Sequence, residues 1–252
     1  MTELNAKSVV VGINGSQAAV NAAKWAVDEA VSRQLPLRLV YVIAWREAHG
    51  ESEWELERVE MALSQAGWAA QRVEKPVEIE TAILSGDPAQ ALVGQSLDAA
   101  LVCVGTSRRG WASDGLLGPT AAGLVARAHC PVAIVRTNPD GSPTELGVIA
   151  VVLNDEPDND EVVHQAMEEG RRRHATVRQI DRRLNSWVRR YPDVHVQTVA
   201  AGTGAKPSRK PGGPIGLAVV GSADADEIAR LATPNCHPIV GYPDCSVLVV
   251  RH

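Results

Sequence analysis

Short apolar runs alternate with amphipathic stretches along the first half of the chain. The run Val9–Ile13 is continuously apolar, as expected for a parallel strand that is covered on both faces. After Gly15 and Ser16, apolar residues recur at helical spacing as far as Gln34, and the Ser16 hydroxyl is well placed to cap that helix. The pattern therefore predicts a strand, a tight turn and a helix at the start of the chain.

The same alternation continues through the following residues. Asp87 and Pro88 form a helix start, with Asp87 as N-cap and Pro88 at the first helical position. Further strands are predicted at 37–44, 77–84, 100–105 and 132–136, and further helices at 52–71, from 88 onward and at 120–128. Strands that alternate with helices in this way predict a doubly wound, Rossmann-like or flavodoxin-like open parallel β-sheet with helices on both faces.

This unit occurs twice in the chain. SVVVGIN at 8–14 aligns with VIAVVLN at 148–154 at an offset of 140 residues, and the gap-free extension places 26–30 on 166–170. The later strands align at smaller offsets: 116 residues for 100–106 with 216–222, and 115 residues for 130–136 with 245–251. The second copy has therefore lost residues from its middle. We predict two tandem α/β units, residues 1–140 and residues 141–252.

Composition and charge narrow the class of protein. With 45% hydrophobic and 22% charged residues the chain has an ordinary globular composition, and its net charge of −5 argues against a surface built for nucleic acid or for an anionic membrane. The sequence shows neither an apolar run long enough to span a bilayer nor the pattern of a signal peptide. We therefore expect a cytoplasmic protein.

Residue sets for metal binding or catalysis are not evident. The 4 cysteines form no CxxC pair, so we expect reduced and mostly packed thiols; Cys236 beside His237 has no partners to complete a metal site. His49 lies among glutamates in what we interpret as an exposed connection. The GxSxG and HExxH motifs are absent from the sequence, and we predict no catalytic residues.

Arginines are concentrated in RRRH at 171–174 and in RQIDRRLNSWVRRY at 178–191. In the second segment Ile180, Leu184 and Tyr191 fall at helical spacing, which leaves most arginines on the other side. This favours a helix with a solvated basic face. A recognition patch for RNA, an acidic partner or a phosphorylated ligand is the alternative.

The segment VGTSRRGWASDGLLGPT at 104–120 carries candidate chemistry. It follows the fourth predicted strand, and parallel sheets bind ligands at the carboxyl ends of their strands. Gly118 precedes a predicted helix, Thr120 is a candidate N-cap or phosphate-contacting hydroxyl, and Arg108 and Arg109 would add positive charge. The segment matches neither a Walker A loop nor a GxGxxG motif.

Four stretches together resemble the universal stress protein family: VVVGINGS at 9–16, SGDP at 85–88, VGTSR…LLGPT in the loop, and CPVAIVR at 130–136. The resemblance implies the α/β fold and a regulatory role. Family members that keep the loop pattern, which is Gly, two residues, Gly, nine residues, Gly and then Ser or Thr, bind ATP. In this chain the four positions are Gly105, Arg108, Gly118 and Pro119.

Three positions depart from the family pattern. Arg108 replaces a glycine, and its side chain would either clamp a phosphate in a bidentate manner or fill the space of a triphosphate. Pro119 replaces a hydroxyl residue and has no N–H, although Thr120 follows directly. Asn14 stands where the family usually has Asp. The nucleotide loop of the first copy is thus degenerate.

The second copy departs further from the pattern. Gly221 keeps the first glycine, but Asp224 occupies the position of Arg108, and Asp226 and Glu227 follow. Carboxylates at this edge would repel a phosphate. The segment at 201–214, rich in Gly, Pro and Lys, replaces the third helix with a loop. We predict that the second copy lacks a working nucleotide loop.

The resemblance implies a site for an adenine nucleotide, namely ATP, AMP or cyclic AMP. Its residues are Ile13, Asn14, Gly15 and Val42 near adenine, and Gly105, Thr106, Arg108, Arg109, Gly118, Pro119 and Thr120 near phosphate. The alternative is a protein that binds no nucleotide and acts as a scaffold for a protein partner. Slow ATP hydrolysis is implied for some family members.

The resemblance also implies how the two copies meet. Family members pair through their final strands, which end here at Arg136 and Arg251. We therefore expect the two units to form an internal pseudo-dimer, and we also consider a homodimer of whole chains.

Overall fold

A computed structural model of the chain describes residues 7–44, 53–107, 117–145, 147–151, 159–180, 185–199, 215–222 and 245–251. The elements of the first half are β1 (Ser8–Ile13), α1 (Gln17–Arg33), β2 (Leu37–Ile43), α2 (Glu53–Gln71), β3 (Ile79–Ser85), α3 (Pro88–Gln95), β4 (Ala99–Ser107), α4 (Pro119–Arg127) and β5 (Val132–Thr137). Those of the second half are β6 (Val148–Val151), α5 (Asn159–Arg173), β7 (Thr176–Ile180), α6 (Asn185–Val188), β8 (Val196–Val199), β9 (Ile215–Val220) and β10 (Ser246–Val249).

The described strands form one ten-stranded sheet in the order β3-β2-β1-β4-β5-β10-β9-β6-β7-β8. Neighbouring strands run parallel within each half, whereas β5 and β10 pair antiparallel where the halves meet. Read outward from this junction, the strand order is the same in both halves. The final strands of the two copies, for which the sequence predicts an internal contact, are therefore hydrogen-bonded to each other.

The strand register reproduces the sequence repeat. Val9 on β1 pairs with Leu101 on β4, and their counterparts Ile149 and Leu217 pair in the second half, at the offsets of 140 and 116 found in the sequence. A register shift precedes both pairs, between Ser8 and Val9 and at the corresponding place in β6. The internal repeat is therefore structural as well as sequential.

Helices cover both faces of the sheet, as the alternating pattern predicts. One core contains buried residues of α1, α2 and α5, and the other contains buried residues of α3 and α4. The predicted caps are also present: the Ser16 hydroxyl accepts a hydrogen bond from the Ala19 N–H at 3.2 Å, and Asp87 accepts from the Gln90 N–H at 2.9 Å. Each such cap stabilises its helix by about 1 kcal/mol.

The interpretation of residues 178–191 as one basic helix is wrong. Residues up to Ile180 belong to strand β7, and a short helix α6 begins only at Asn185. Val177 pairs with Ile149 in the sheet, so strand pairing overrides the helical spacing of the apolar residues. The repeat already contained this signal, because Val177 aligns with Leu37 in β2.

Three cysteines, Cys103, Cys130 and Cys245, are buried, in keeping with the expected packed cysteines. Burial raises the pKa of Cys103 well above its ordinary value and that of Cys130 to about 11. Both thiols are therefore protonated at neutral pH. Cys236, His237 and His49 lie outside the described residues.

At the end of α5, the Arg172 and Arg173 side chains are largely buried because they bind two buried glutamates, whereas Arg171 is exposed. Glu29 on α1 and Glu169 on α5 are repeat counterparts, and neither is exposed to solvent. Arg173 donates to Glu169 Oε2 and to Glu29 Oε1, both at 2.7 Å, and Arg172 donates to Glu29 Oε1 at 2.8 Å. Arg33 also donates to Glu29, and Arg172 to Glu169. We call these five residues the carboxylate–guanidinium cluster.

The two carboxyl groups of this cluster titrate differently. Burial and the neighbouring Glu29 charge raise the pKa of Glu169 to about 7. The positive charges of Arg173 and Arg172 lower this pKa, but by less than burial and Glu29 raise it. Burial would also raise the pKa of Glu29, but Arg172, Arg173 and Arg33 more than offset it and lower the pKa. Glu29 is thus ionised at neutral pH, while Glu169 exchanges a proton there.

This proton exchange predicts that stability falls as pH rises through neutrality. Folded Glu169, with its pKa of about 7, holds a proton that the unfolded chain, with the ordinary value of 4.5, releases. The unfolding free energy, followed by urea titration, should drop by up to about 3 kcal/mol between about pH 5 and about pH 8. Glu169→Gln should flatten this dependence, whereas Glu168→Gln at the partly exposed neighbouring position should retain it. Equal slopes in both variants would contradict the assignment.

Candidate functional site

A cavity of about 320 Å³ lies in the first half at the carboxyl ends of β1 and β4. Its volume is in the range of small-molecule sites in proteins. The predicted site residues that line it are Ile13, Asn14, Val42, Gly105, Thr106, Gly118, Pro119 and Thr120. The structure thus brings the two ends of the predicted site together, although they are about ninety residues apart in the sequence.

Three apolar residues of the cavity wall were not predicted. Val40 on β2, Leu92 on α3 and Ala121 on α4 line the cavity beside the predicted Val42. Gly12 completes this wall: a Cβ there would lie 2.9 Å from Leu92 Cδ1, so the leucine side chain would have to shift to admit one. The alternation of side chains along β2 could have identified Val40 as a lining residue, because Val40 shares a sheet face with the predicted Val42.

Gly105 holds the end of β4 against the first turn of α1. A Cβ at this position would lie only 2.0 Å from the Ala18 carbonyl oxygen, which no side chain could accommodate without moving the backbone. At its repeat counterpart Gly221, the nearest atom among the described residues would be Val162 Cγ2, 3.5 Å from the added Cβ.

Helix α4 begins differently from the sequence prediction. Gly118 is its N-cap, with a backbone φ of −57°, and Pro119 is at the first helical position, so Thr120 is not the N-cap. Proline suits that position, where an N–H would have no helical acceptor. The Ala122 N–H donates to the Gly118 carbonyl at 3.0 Å. The N–H groups of Thr120 and Ala121 therefore precede the first helical hydrogen bond, and both residues line the cavity.

The turn after β1 is closed by Asn14. Its Oδ1 accepts from the Ser16 N–H at 3.1 Å and from the Ser16 hydroxyl at 2.7 Å, which leaves the amide NH₂ to donate elsewhere. Gly15 has a φ of 77°, in the left-handed region that favours glycine. Gly15 adjoins the cavity without lining it and supports the site through the turn.

Several predicted features lie outside the described residues. These are Arg108 and Arg109 in the first copy, the acidic residues Asp224, Asp226 and Glu227 in the second copy, and the loop at 201–214. Within the described segments, no helix has both the length and the apolar character needed to cross a membrane.

Sequence comparison places the chain among known proteins. The model of the universal stress protein family matches residues 5–136. Universal stress protein Rv2624c of Mycobacterium tuberculosis is 38% identical over 262 residues, which cover 97% of this chain and 96% of that protein. Universal stress protein Rv3134c of the same organism is 38% identical over 259 residues, which cover 92% of this chain and 94% of the relative.

A solved structure supports the fold. The crystal structure of a universal stress protein from Archaeoglobus fulgidus superimposes with a TM-score of 0.63, covering 98% of this chain and 97% of the other at 13% identity. At that identity the similarity concerns the fold alone.

The packing of Gly105 makes a testable prediction. Gly105→Ala should lower the free energy of unfolding by about 3 kcal/mol or more, because the methyl group collides with backbone atoms of α1. The matched control is Gly94→Ala on the exposed side of α3, where a Cβ meets nothing within 4 Å. That substitution should be neutral or stabilise by about 0.5–1 kcal/mol. Urea unfolding of both variants checks the prediction, and a Gly105→Ala protein as stable as the control would contradict it.

Proposed function

Because this chain belongs to the universal stress protein family, we propose that it binds an adenine nucleotide in the cavity of its first half and acts as a regulatory protein in stress adaptation. The observation that carries the proposal is the composition of the cavity wall. One part is apolar, and another presents the start of α4 with its N–H groups. A nucleotide requires both kinds of surface, because its base is flat and apolar on its faces and its phosphate is anionic.

The apolar part is the proposed adenine site. Ile13 and Val42 are partly or fully buried side chains at the ends of adjacent parallel strands, and Asn14 follows one of them. The free NH₂ of Asn14 is available to a ring nitrogen or to a ribose hydroxyl. Gly15 contributes by fixing the turn that orients Asn14.

The polar part is the proposed phosphate site. The N–H groups of Thr120 and Ala121, the hydroxyls of Thr106 and Thr120, and the positive end of the α4 dipole favour an anion there. Gly105 and Gly118 keep side chains away from this region. We place Arg108 and Arg109 beside the phosphate from their sequence position.

Pro119 bears on which nucleotide is bound. A proline at the first helical position leaves one N–H fewer for phosphate than Ser or Thr would provide. We therefore propose AMP and cyclic AMP on an equal footing with ATP. Crystal structures of universal stress proteins hold cAMP in one case and AMP in a protein from Arabidopsis thaliana. Their TM-scores against this chain are 0.43 and 0.42, so the proposal does not rest on them.

The departures at Asn14 and Pro119 favour a second candidate function. In that case the chain binds no nucleotide and acts as a scaffold through protein contacts, with the segment at 206–210 or the arginine-rich segment at 178–191 as candidate contact regions. Slow ATP hydrolysis, which the family resemblance implies for some members, is the third candidate.

We further propose that residues 1–140 and 141–252 act as an internal pseudo-dimer with one working nucleotide site, located in a cytoplasmic protein. The antiparallel pairing of β5 with β10 supports the pseudo-dimer, since it relates the two halves as two subunits joined at their final strands.

Nucleotide binding is tested by calorimetric titration of nucleotide-free protein with ATP, AMP and cyclic AMP. At least one should bind with a dissociation constant below about 1 mM. Val42→Trp should weaken that binding about tenfold or more, because the indole would fill the cavity. The control is Ile83→Trp on the adjacent strand: Ile83 is 42% exposed and pairs with Tyr41, which belongs to the core of the other sheet face.

The outcomes separate the two functions. Binding that Val42→Trp removes and Ile83→Trp preserves supports the nucleotide site. If none of the three nucleotides binds at millimolar concentration, the regulatory nucleotide function is wrong and the scaffold function stands. Arg108→Gly then shows whether the arginine closes the site, because restored binding would identify it as the obstruction.

A further inference from the structure

Helix α2 carries an exposed apolar stripe on the side that faces away from the sheet. Trp54, Met61 and Trp68 are 62%, 66% and 71% exposed. Successive members are seven residues apart, which is about two helical turns, so all three lie on one side of the helix. Val59 and Ala66 on the opposite side are buried in the core. We call Trp54, Met61 and Trp68 the α2 stripe.

Such a stripe is unusual on an isolated surface. Single exposed apolar side chains are common, but large ones aligned along a helix are typical of a surface that contacts another protein. Beside the stripe, a groove of about 530 Å³ separates α2 from α1 and is lined in part by Lys24, Trp68 and Arg72. The end of the stripe near Trp68 is thus both apolar and basic.

The charges beside the stripe differ at its two ends. Glu57 and Glu60 are exposed near the N-terminal end of α2, where the exposed Arg58 is paired with Glu55. Arg72 and Lys24 are exposed near the C-terminal end. A second copy of the same helix, turned end for end, brings acidic residues to basic ones at both ends. This complementarity selects a second copy of the chain as the occupant, since a two-fold axis produces this antiparallel arrangement.

The spacing of the residues fixes the register of the pair. When the two-fold axis passes between Ser64 and Gln65, Met61 faces the partner's Trp68 and Glu57 faces the partner's Arg72, each contact occurring twice. Trp54 takes less part in this contact, because the guanidinium of Arg58 already lies 5.6 Å from its ring centre. The exposed Ser64 and Gln65 then lie at the crossing point, where short and flexible side chains allow two helices to approach.

We propose that the chain forms a symmetric homodimer through antiparallel packing of two α2 helices in this register. The strands through which the sequence analysis expects family members to pair are not free here, because β5 and β10 already pair within the chain. A dimer of whole chains must therefore use another surface. The stripe offers apolar area on the order of a few hundred Å² per subunit, which suits a weak, concentration-dependent dimer.

The test is sedimentation velocity of the full chain over a range from micromolar to near-millimolar concentration. The wild type should show a monomer–dimer equilibrium. Trp68→Ala should weaken dimerisation at least about tenfold, since it removes both copies of the contact between Met61 and Trp68. Leu56→Ala is the matched control: Leu56 is 51% exposed on the same helix but lies off the stripe, and its removal should leave the equilibrium unchanged.

Charge reversal tests the register itself. Glu57→Arg and Arg72→Glu should each weaken the dimer about tenfold, because each places two pairs of like charges together. The double variant Glu57→Arg/Arg72→Glu should restore affinity to within about threefold of the wild type, since exchanging both partners recovers both ion pairs. Far-ultraviolet circular dichroism of every variant confirms that the fold is retained.

Each contrary result overturns the proposal. A wild type that stays monomeric at all concentrations rules out the dimer. A dimer that Trp68→Ala leaves intact uses another surface, such as the outer strand β3, and a double variant no tighter than the single ones excludes the antiparallel register. None of these results depends on nucleotide binding.

Discussion

The antiparallel pairing of β5 with β10 is the interaction on which the architecture depends. Three residues of β10 pair with β5, and the Ser246 hydroxyl accepts a hydrogen bond from the Arg136 N–H at 2.9 Å. This junction removes the edges that both final strands would otherwise expose, and it converts two five-stranded halves into one sheet. The described strand edges are thereby confined to β3 and β8 at the outer ends.

The carboxylate–guanidinium cluster accompanies the junction on one face of the sheet. Two buried glutamates from opposite halves share arginines, so the relative position of α1 and α5 is set by directional hydrogen bonds as well as by apolar packing. Removing one partner would leave a buried charge unpaired, which is typically costly. Helix α1 is also the element whose first turn packs on Gly105 at the cavity. The same helix therefore supports both the junction and the candidate site.

Much of the fold follows from local patterns in the sequence. The continuous apolar run at Val9–Ile13 and the caps at Ser16 and Asp87 predict their elements because each depends on neighbouring residues only. The repeat also carries long-range information, since its offsets reproduce the strand register. The same logic predicts a candidate site at the sheet edge where the cavity lies, because parallel strands all end on one side.

The remaining features depend on contacts between distant residues. Helical spacing in 178–191 is misleading because pairing of β7 with β6 determines its first residues. Thr120 is displaced from the N-cap because Pro119, with its fixed φ, suits the first helical turn. The apolar cavity wall at Leu92 and the burial of Arg173 arise only when separate helices pack together. The repeat did contain a clue to the burial of Arg173, since it aligns Glu29 with Glu169 and Arg33 with Arg173.

Native-state hydrogen exchange tests most directly whether the junction unites the two halves. If it does, the amides of Ala133 and Leu248 at its centre should be among the slowest to exchange and should open with the same free energy, because β5 and β10 separate only when the whole sheet unfolds. Exchange of Leu248 orders of magnitude faster than that of Ala133 would show that β10 opens independently. The two halves would then be separate units in contact rather than one cooperative sheet.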